Sequence, residues 1–389
     1  MPNSPARPRT ILILGGGVGG VVAAVTLRRA LPGSHRIVLV DRRKDHLFAP
    51  SLLWLMTGRR TPSQIVRPLG QLQSRGIEVI QGAVESIDHR NRVVSVNGQS
   101  IKADHLVIAL GAELAPEDVP GLAEAGHTFY TQEGAQRLHQ NLLGIHQGRV
   151  VVLTATPAYK CPAAPYEAAM LIEGELRRLG VRDRCRIDLY AAEPGPMGVA
   201  GPSVTAAVRG LVEAKGIAFH PEHQVTSVDP DKKRLEFSNG STAAFDLLAY
   251  VPPHRAPQVV REAGLLNEAG WIPVDRQTLR TRFEEVYAIG DITSIPLAMG
   301  KPLPKAGVFA HRQAEVVARN LAASILGSHA FNAFDGFGKC FVETGDGKAG
   351  IGAGNFYGEP VPEVQLKGPS RYWRWAKVAF EKWWFWHWF

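Results

Sequence analysis

The sequence predicts an α/β protein of two parallel-sheet units followed by an aromatic helical tail, and three observations carry that prediction. Short apolar runs alternate with helix-like stretches along most of the 389 residues, as in parallel strands joined by crossover helices. A glycine-rich turn with Gly15, Gly17 and Gly20 in the spacing G-x-G-x-x-G lies between the first such run and the first such stretch. A Pro-rich segment, residues 115–121, separates that unit from a second beginning near Gly148.

Uncharged or nearly uncharged runs of four to six residues suit strands buried on both faces. They predict strands at 10–14, 36–40, 77–80, 105–109, 149–154, 186–191, 217–220, 246–251 and 286–289. The longer stretches between them predict helices at 18–30, 132–144, 164–179, 202–215 and 306–326. No fixed-period repeat is visible. Beyond residue 331 a Gly-rich region leads into the tail.

Composition narrows the class. Hydrophobic residues at 45% and charged residues at 21% fit a globular chain and argue against long disorder or many membrane spans. Three Cys cannot make a disulfide scaffold. The N-terminus runs into the apolar segment at Ile11 without a secretory pattern, so a cytoplasmic location is expected, with cysteines normally reduced. The net charge of +8 is concentrated. Residues 367–389 hold Lys367, Arg371, Arg374, Lys377 and Lys382 against Glu381 alone, with six of the eight Trp. The body is only mildly basic and carries no nucleic-acid-binding module, so no nucleic-acid partner is expected. No metal site is expected.

The glycines let the backbone approach a pyrophosphate at a helix N-terminus. Asp41 ends the next strand 21 residues after Gly20, where an acid accepts bonds from an adenosine ribose and disfavours a 2′-phosphate. TRFEEVYAIGD, with Gly290 and Asp291, and DHLVIALGA, with Gly111, resemble the later nucleotide-contacting segments of flavoproteins with two dinucleotide-binding domains. Leu110 stands where those proteins usually have Thr. The resemblance implies two Rossmann-like domains in a glutathione-reductase-like arrangement, with FAD in the first. It divides the chain into an FAD-binding domain at 1–115 and 281–330, a second Rossmann-like domain at 116–280, and a C-terminal region at 331–389.

HLFAPSLLWLMTG, from His46, is similar to the segment along the flavin in type II NADH dehydrogenases and sulfide:quinone oxidoreductases. It implies Pro50 as a flavin neighbour, with His46 either near the cofactor or an ordinary turn histidine. An NADH enzyme needs a second Gly-rich turn after the strand at 149–154. Here the turn is TPAYKCPAAPYE, which lacks glycine and contains Cys161. That segment resembles the Cys segment of sulfide:quinone oxidoreductases and of flavocytochrome c sulfide dehydrogenase. In those families a second Cys lies far downstream, as Cys340 does here. Cys185 has no counterpart and is assigned to structure. A third Cys that many sulfide:quinone oxidoreductases carry some 30 residues before the first is replaced by Phe129 and Tyr130, so the FAD is expected to be non-covalent.

The resemblance implies that sulfide attacks a disulfide or trisulfide between Cys161 and Cys340, leaving a persulfide on one Cys while the other passes two electrons to the flavin. Cys161 is expected to open a helix whose dipole favours its thiolate. Glu167, six residues on, is a candidate proton carrier or a solvated helix-start carboxylate. Lys305, just before the helix AGVFAHRQAEVVARN, is expected at the pyrimidine end of the flavin, with Lys348 a weaker candidate. On a helical wheel Arg371, Arg374, Lys377, Glu381 and Lys382 share one arc and Tyr372, Trp373, Trp375 and Phe380 the opposite one. This predicts a helix on the cytoplasmic membrane surface, removable without loss of fold. The alternative is packing on the protein or in a homo-oligomer. The expected substrates are sulfide or polysulfide and a quinone, ubiquinone or menaquinone. Cytochrome c as acceptor, an NADH dehydrogenase and a non-catalytic redox sensor remain alternatives.

Overall fold

The computed structural model describes residues 7–389. Its first sheet is wholly parallel, in the order Val286–Ala288, His105–Ile108, Thr10–Leu14, Arg36–Asp41, Glu78–Gln81. The second, also wholly parallel, runs His127–Thr128, Leu247–Val251, Gly148–Thr154, Cys185–Ala191, Ile217–His220. The two share one topology. In each, a central strand leads into a helix, a second and a third strand follow on one side, and an antiparallel three-stranded sheet (84–102 or 225–244) returns the chain to the other side. The structural repeat has no sequence repeat because parallel-sheet cores accept any well-packed set of Val, Ile and Leu.

The predicted parallel strands and long helices all form, within two residues at each end. The antiparallel sheets are absent from the sequence-based expectation. Their strands are short and mix buried with exposed positions, as in the pattern ieeBe over Val84–Asp88. The Gly-rich region folds as a third antiparallel sheet, Phe337–Glu343, Ala349–Asn355 and Glu363–Ser370.

The tail is a helix, Arg371–Trp388, started by Ser370, whose Oγ accepts from the Trp373 N–H at 3.2 Å. Its orientation differs from the simplest membrane-surface expectation. Much of the charged arc faces the protein, with Lys377 6% and Glu381 0% exposed, while Tyr372, Trp375 and Trp386 stand 68%, 72% and 77% exposed. Lys377 and Glu381 turn inward because partners of opposite charge wait beneath them: Glu167 and Glu343 for Lys377, Arg60 for Glu381. Beyond them Trp384, Phe385 and Trp388 join the core of the first unit, with Phe48 between the rings of Phe380, Trp384 and Phe385. The tail is therefore part of the folded body. Deleting it would strip three large side chains from the core, at roughly 3 kcal/mol or more each.

Candidate active site

The nucleotide end is built by close packing. A Cβ on Gly20 would strike the carbonyl oxygen of Gly15, so this glycine lets helix Val18–Ala30 lie against its strand. Gly17, the N-cap, has no side-chain cap, and a Cβ there or on Gly111 would meet no protein atom. Asp41 Oδ2 accepts from the Gly16 N–H at 2.6 Å, fixing the loop. Gly290 donates its N–H to Gln313 Oε1 at 2.7 Å, which sets the turn before Asp291. Asp291 Oδ1 is buried with no hydrogen-bond partner. Burial raises the pKa of this carboxyl, against the pull of Lys160 and Lys305. Open backbone donors at one end and an orphaned carboxylate oxygen at the other fit the pyrophosphate and ribityl hydroxyls of FAD.

Lys305 Nζ donates to the carbonyls of Asp291 at 2.6 Å and Thr293 at 3.2 Å, and lies 3.4 Å from the centre of the Trp271 ring. Burial lowers its pKa to about 8. Pro50 lies exposed on the short turn Ala49–Ser51. His46 is fully buried: Nδ1 meets the Gly16 carbonyl at 2.9 Å and Nε2 accepts from Trp384 Nε1 at 3.1 Å. Nδ1 therefore carries the proton, and burial lowers the ring's pKa to about 4. The tail thus reaches the nucleotide loop through His46. Lys348 is exposed in a hairpin turn beside Asp346 and takes no part in the site.

Cys161 lies three residues before helix Ala164–Arg178, in a left-handed conformation with φ +56°. Its N–H donates to the Lys305 carbonyl at 2.6 Å, and its own carbonyl accepts from Ala164 N at 2.9 Å. Tyr130 Oη donates to the Lys160 carbonyl at 2.7 Å, so the residue beside the missing third Cys clamps the turn. Lys160 Nζ bonds the Ala112 carbonyl at 3.1 Å, tying the same turn to the first unit. No sequence signal marked Tyr130 for this role.

Cys340 sits mid-strand opposite Gly352. Both thiols are half-buried and free. Burial pushes both pKa values up, that of Cys340 to about 12, and Cys161 is raised further by Cys340 and Glu167. The helix begins three residues after Cys161, so its dipole acts on the thiol from beyond the first turn, and burial opposes the thiolate. Cys185 is buried in the core of the second unit. Its charged neighbours are Arg182, Arg184 and Asp246, none of which belongs to the thiol site.

Glu167 stands in the first turn of its helix, but it is 2% exposed, not solvated. Its Oε1 accepts from the Glu343 N–H at 2.8 Å and from Lys377 Nζ at 3.1 Å. Burial raises its pKa against the pull of Lys377. Lys377, the inward charge of the tail, is a site neighbour that the wheel assigned to the surface. Burial opposes its charge, but Glu167 and Glu343 outweigh it and hold the ammonium protonated.

Glu193, just past strand Cys185–Ala191, accepts from Thr154 Oγ1 and Tyr166 Oη, each at 2.7 Å, and from Tyr159 Oη. In the first unit the acid at the equivalent strand end is Asp41. Here two tyrosines from the glycine-free turn and its helix bond the acid, whereas Asp41 is held by the Gly16 and Arg43 N–H groups and the Arg43 guanidinium, a difference legible only once the strands are paired.

The family model described as pyridine nucleotide-disulphide oxidoreductase matches residues 9–314. The sulfide-quinone reductase of Aquifex aeolicus is 30% identical over 401 residues, covering 97% of this chain and 90% of that protein. The mitochondrial sulfide:quinone oxidoreductase of Mus musculus is 24% identical over 365 residues, covering 90% and 79%. The solved structure of the Aquifex aeolicus sulfide:quinone oxidoreductase superposes with a TM-score of 0.88 at 28% identity, over 98% of this chain and 91% of that one. The chain belongs to the pyridine nucleotide-disulphide oxidoreductase family, among its sulfide-quinone reductases.

Proposed function

We propose that the protein oxidises sulfide at Cys161 and Cys340 and delivers the electron pair, through non-covalently held FAD, to a quinone in a membrane to whose surface it binds. The observation that carries the proposal is the link between the Cys161 turn and a nucleotide site, with Cys340 near enough to act on the Cys161 thiol. The Cys161 N–H bonds the carbonyl of Lys305, whose ammonium bonds the carbonyl of Asp291. Gly15, Gly17, Gly20, Asp41, Gly111, Gly290, Asp291 and Lys305 hold the cofactor in this reading, with Pro50 beside it. When bound, FAD supplies a two-electron acceptor that a quinone reoxidises.

The residues of the chain do the sulfur chemistry. Hydrosulfide attacks one sulfur of a bridge between Cys161 and Cys340. A new S–S bond forms, the bond to the other cysteine breaks, and that cysteine leaves as a thiolate holding the electron pair. Loss of that pair lets the thiolate sulfur bond the persulfide, so the bridge re-forms with one sulfur more, and the net reaction is hydrogen sulfide plus quinone to bridge-bound zero-valent sulfur plus quinol. Burial opposes the leaving thiolate. Lys377 is the cation that limits its cost. Glu167, ionised against Lys377, takes the proton that hydrogen sulfide gives up.

NADH as donor is disfavoured by the turn after strand Gly148–Thr154, which has no glycine and carries Cys161. The exposed stripe of Tyr372, Trp375 and Trp386 supports interfacial binding, and among the described residues no helix is long and apolar enough to cross a membrane. An anaerobic titration tests the proposal. One equivalent of sulfide should bleach the flavin and a short-chain quinone should restore its colour; a flavin that bleaches with NADH and ignores sulfide would overturn it.

A further inference from the structure

An ion network, buried except at Arg178, runs from the tail into the body, and its charges do not balance. Lys377 pairs with Glu167 at 3.1 Å, Arg374 with Glu343 at 3.6 Å, and Arg60 with Glu381 at 2.7 Å. Arg178 holds Glu175 through two bonds of 3.0 and 2.5 Å. Each carboxylate has a cation of its own. Arg59 is the cation left over. Among the described residues no carboxylate pairs with it. Its one side-chain hydrogen bond is a long one, Nη2 to the Gly345 carbonyl at 3.5 Å, and its Nη1 is buried with no partner.

Arg59 lines a cavity of about 460 Å³ together with His139, Arg178, Glu175 and Leu143. His139 Nδ1 is a second buried atom without a partner. Gly58, at φ +68°, holds the Arg59 loop so close that a Cβ would enter the His139 ring. A guanidinium does not shed its proton at working pH, so the half-buried Arg59 charge is met in the cavity by water or by an anion. Burial lowers its pKa against the pull of Glu343 and Glu175, carboxylates that already have Arg374 and Arg178 as their own cations. A forked donor facing a cavity with one positive charge in excess matches a planar or tetrahedral oxyanion. Glu175 also lines the cavity, but its carboxylate is committed to Arg178.

We propose that this cavity is an oxyanion site, in which Arg59 is the principal donor and Arg178 and His139 complete the set. It lies two turns along the helix from Glu167, apart from the thiols. The same chemistry is offered by dissolved phosphate or sulfite and by the phosphate of an anionic lipid.

The test uses full-length, flavin-loaded protein in chloride buffer, titrated calorimetrically with inorganic phosphate and with sulfite, and sedimented with phosphatidylglycerol vesicles. Saturable binding of a free oxyanion at one site per chain is expected. Losing a charge-assisted bond should weaken it about tenfold or more in Arg59→Gln, while sulfide-dependent bleaching stays normal. Leu143→Trp, which narrows the cavity without touching a charge, should weaken it as well and carries the test if Arg59→Gln does not fold. If only the vesicles bind, with the same dependence on Arg59 and Leu143, the oxyanion is a lipid phosphate and the site stands. Absence of saturable binding in both arms, or binding that both variants leave unchanged, would overturn the proposal.

Discussion

Replacing Lys377 with Met tests how the tail is coupled to the thiol site. The ammonium and the Glu167 carboxylate are 7% and 3% exposed and 3.1 Å apart. Removing one member of so buried a pair leaves an uncompensated charge, at about 3 to 5 kcal/mol. Glu167 can escape that cost only by keeping its proton. Its pKa is already raised by burial, and Lys377 is the largest influence pulling it down, so in the variant it rises further. A carboxyl whose folded pKa exceeds its unfolded value loses stability as pH climbs above the unfolded value, until the folded carboxyl ionises. The deficit of Lys377→Met should therefore be small near pH 5 and grow by about 1.4 kcal/mol per pH unit once the native carboxyl has ionised in the parent protein. Urea unfolding followed by tryptophan fluorescence at pH 5, 6, 7 and 8 measures it. Because Lys377 also restrains both thiols, the pH profile of sulfide-dependent bleaching should move to the alkaline side, and Lys377→Arg should restore both properties. A deficit below 1 kcal/mol, or one equal at pH 5 and pH 8, would refute the coupling.

Cys161→Ser and Cys340→Ser should each abolish flavin reduction by sulfide while dithionite still reduces the flavin, and Cys185→Ser should stay active in the same stopped-flow assay. Tyr130→Phe removes one bond to the Cys161 turn, worth about 1 kcal/mol, and should slow sulfide-dependent bleaching several-fold without changing flavin content. His46, buried neutral with its pKa lowered to about 4, contributes stability that is complete above pH 6.5 and declines as pH falls toward 4, by about 3 kcal/mol in all; His46→Gln should remove that part of the acid dependence in equilibrium unfolding. Changing Tyr372, Trp375 and Trp386 together to Ser should release the protein from anionic liposomes in sedimentation while leaving bleaching by sulfide intact.

Elements that bury both faces were legible in the sequence, since runs such as Ile11–Leu14 and Val150–Leu153 leave no other reading. The antiparallel sheets were not, because half-exposed strands such as Val84–Asp88 carry little periodic signal. The nucleotide turns, both cysteines and Glu167 could be named from motif and spacing. What each of them touches depended on tertiary packing. Lys377 looked like a surface charge until strand Phe337–Glu343 and the Glu167 helix were seen to meet beneath the tail. Tyr130 had no local mark, because its partner carbonyls lie 30 residues away. At Cys161 a helix dipole could be read from the sequence, but the burial that opposes it could not.

The central claim, that Cys161 and Cys340 form one sulfur-handling pair, is tested most directly by mass spectrometry of the oxidised protein, digested without reductant. The peptide holding Cys161 should be found joined to the peptide holding Cys340 through two or three sulfur atoms. One equivalent of sulfide, added anaerobically and quenched with an alkylating agent before the flavin bleaches, should open a two-sulfur link to a persulfide on one cysteine and a thiol on the other, and a three-sulfur link to a persulfide on each. Two unlinked thiols before and after sulfide, or a link that includes Cys185, would contradict the account.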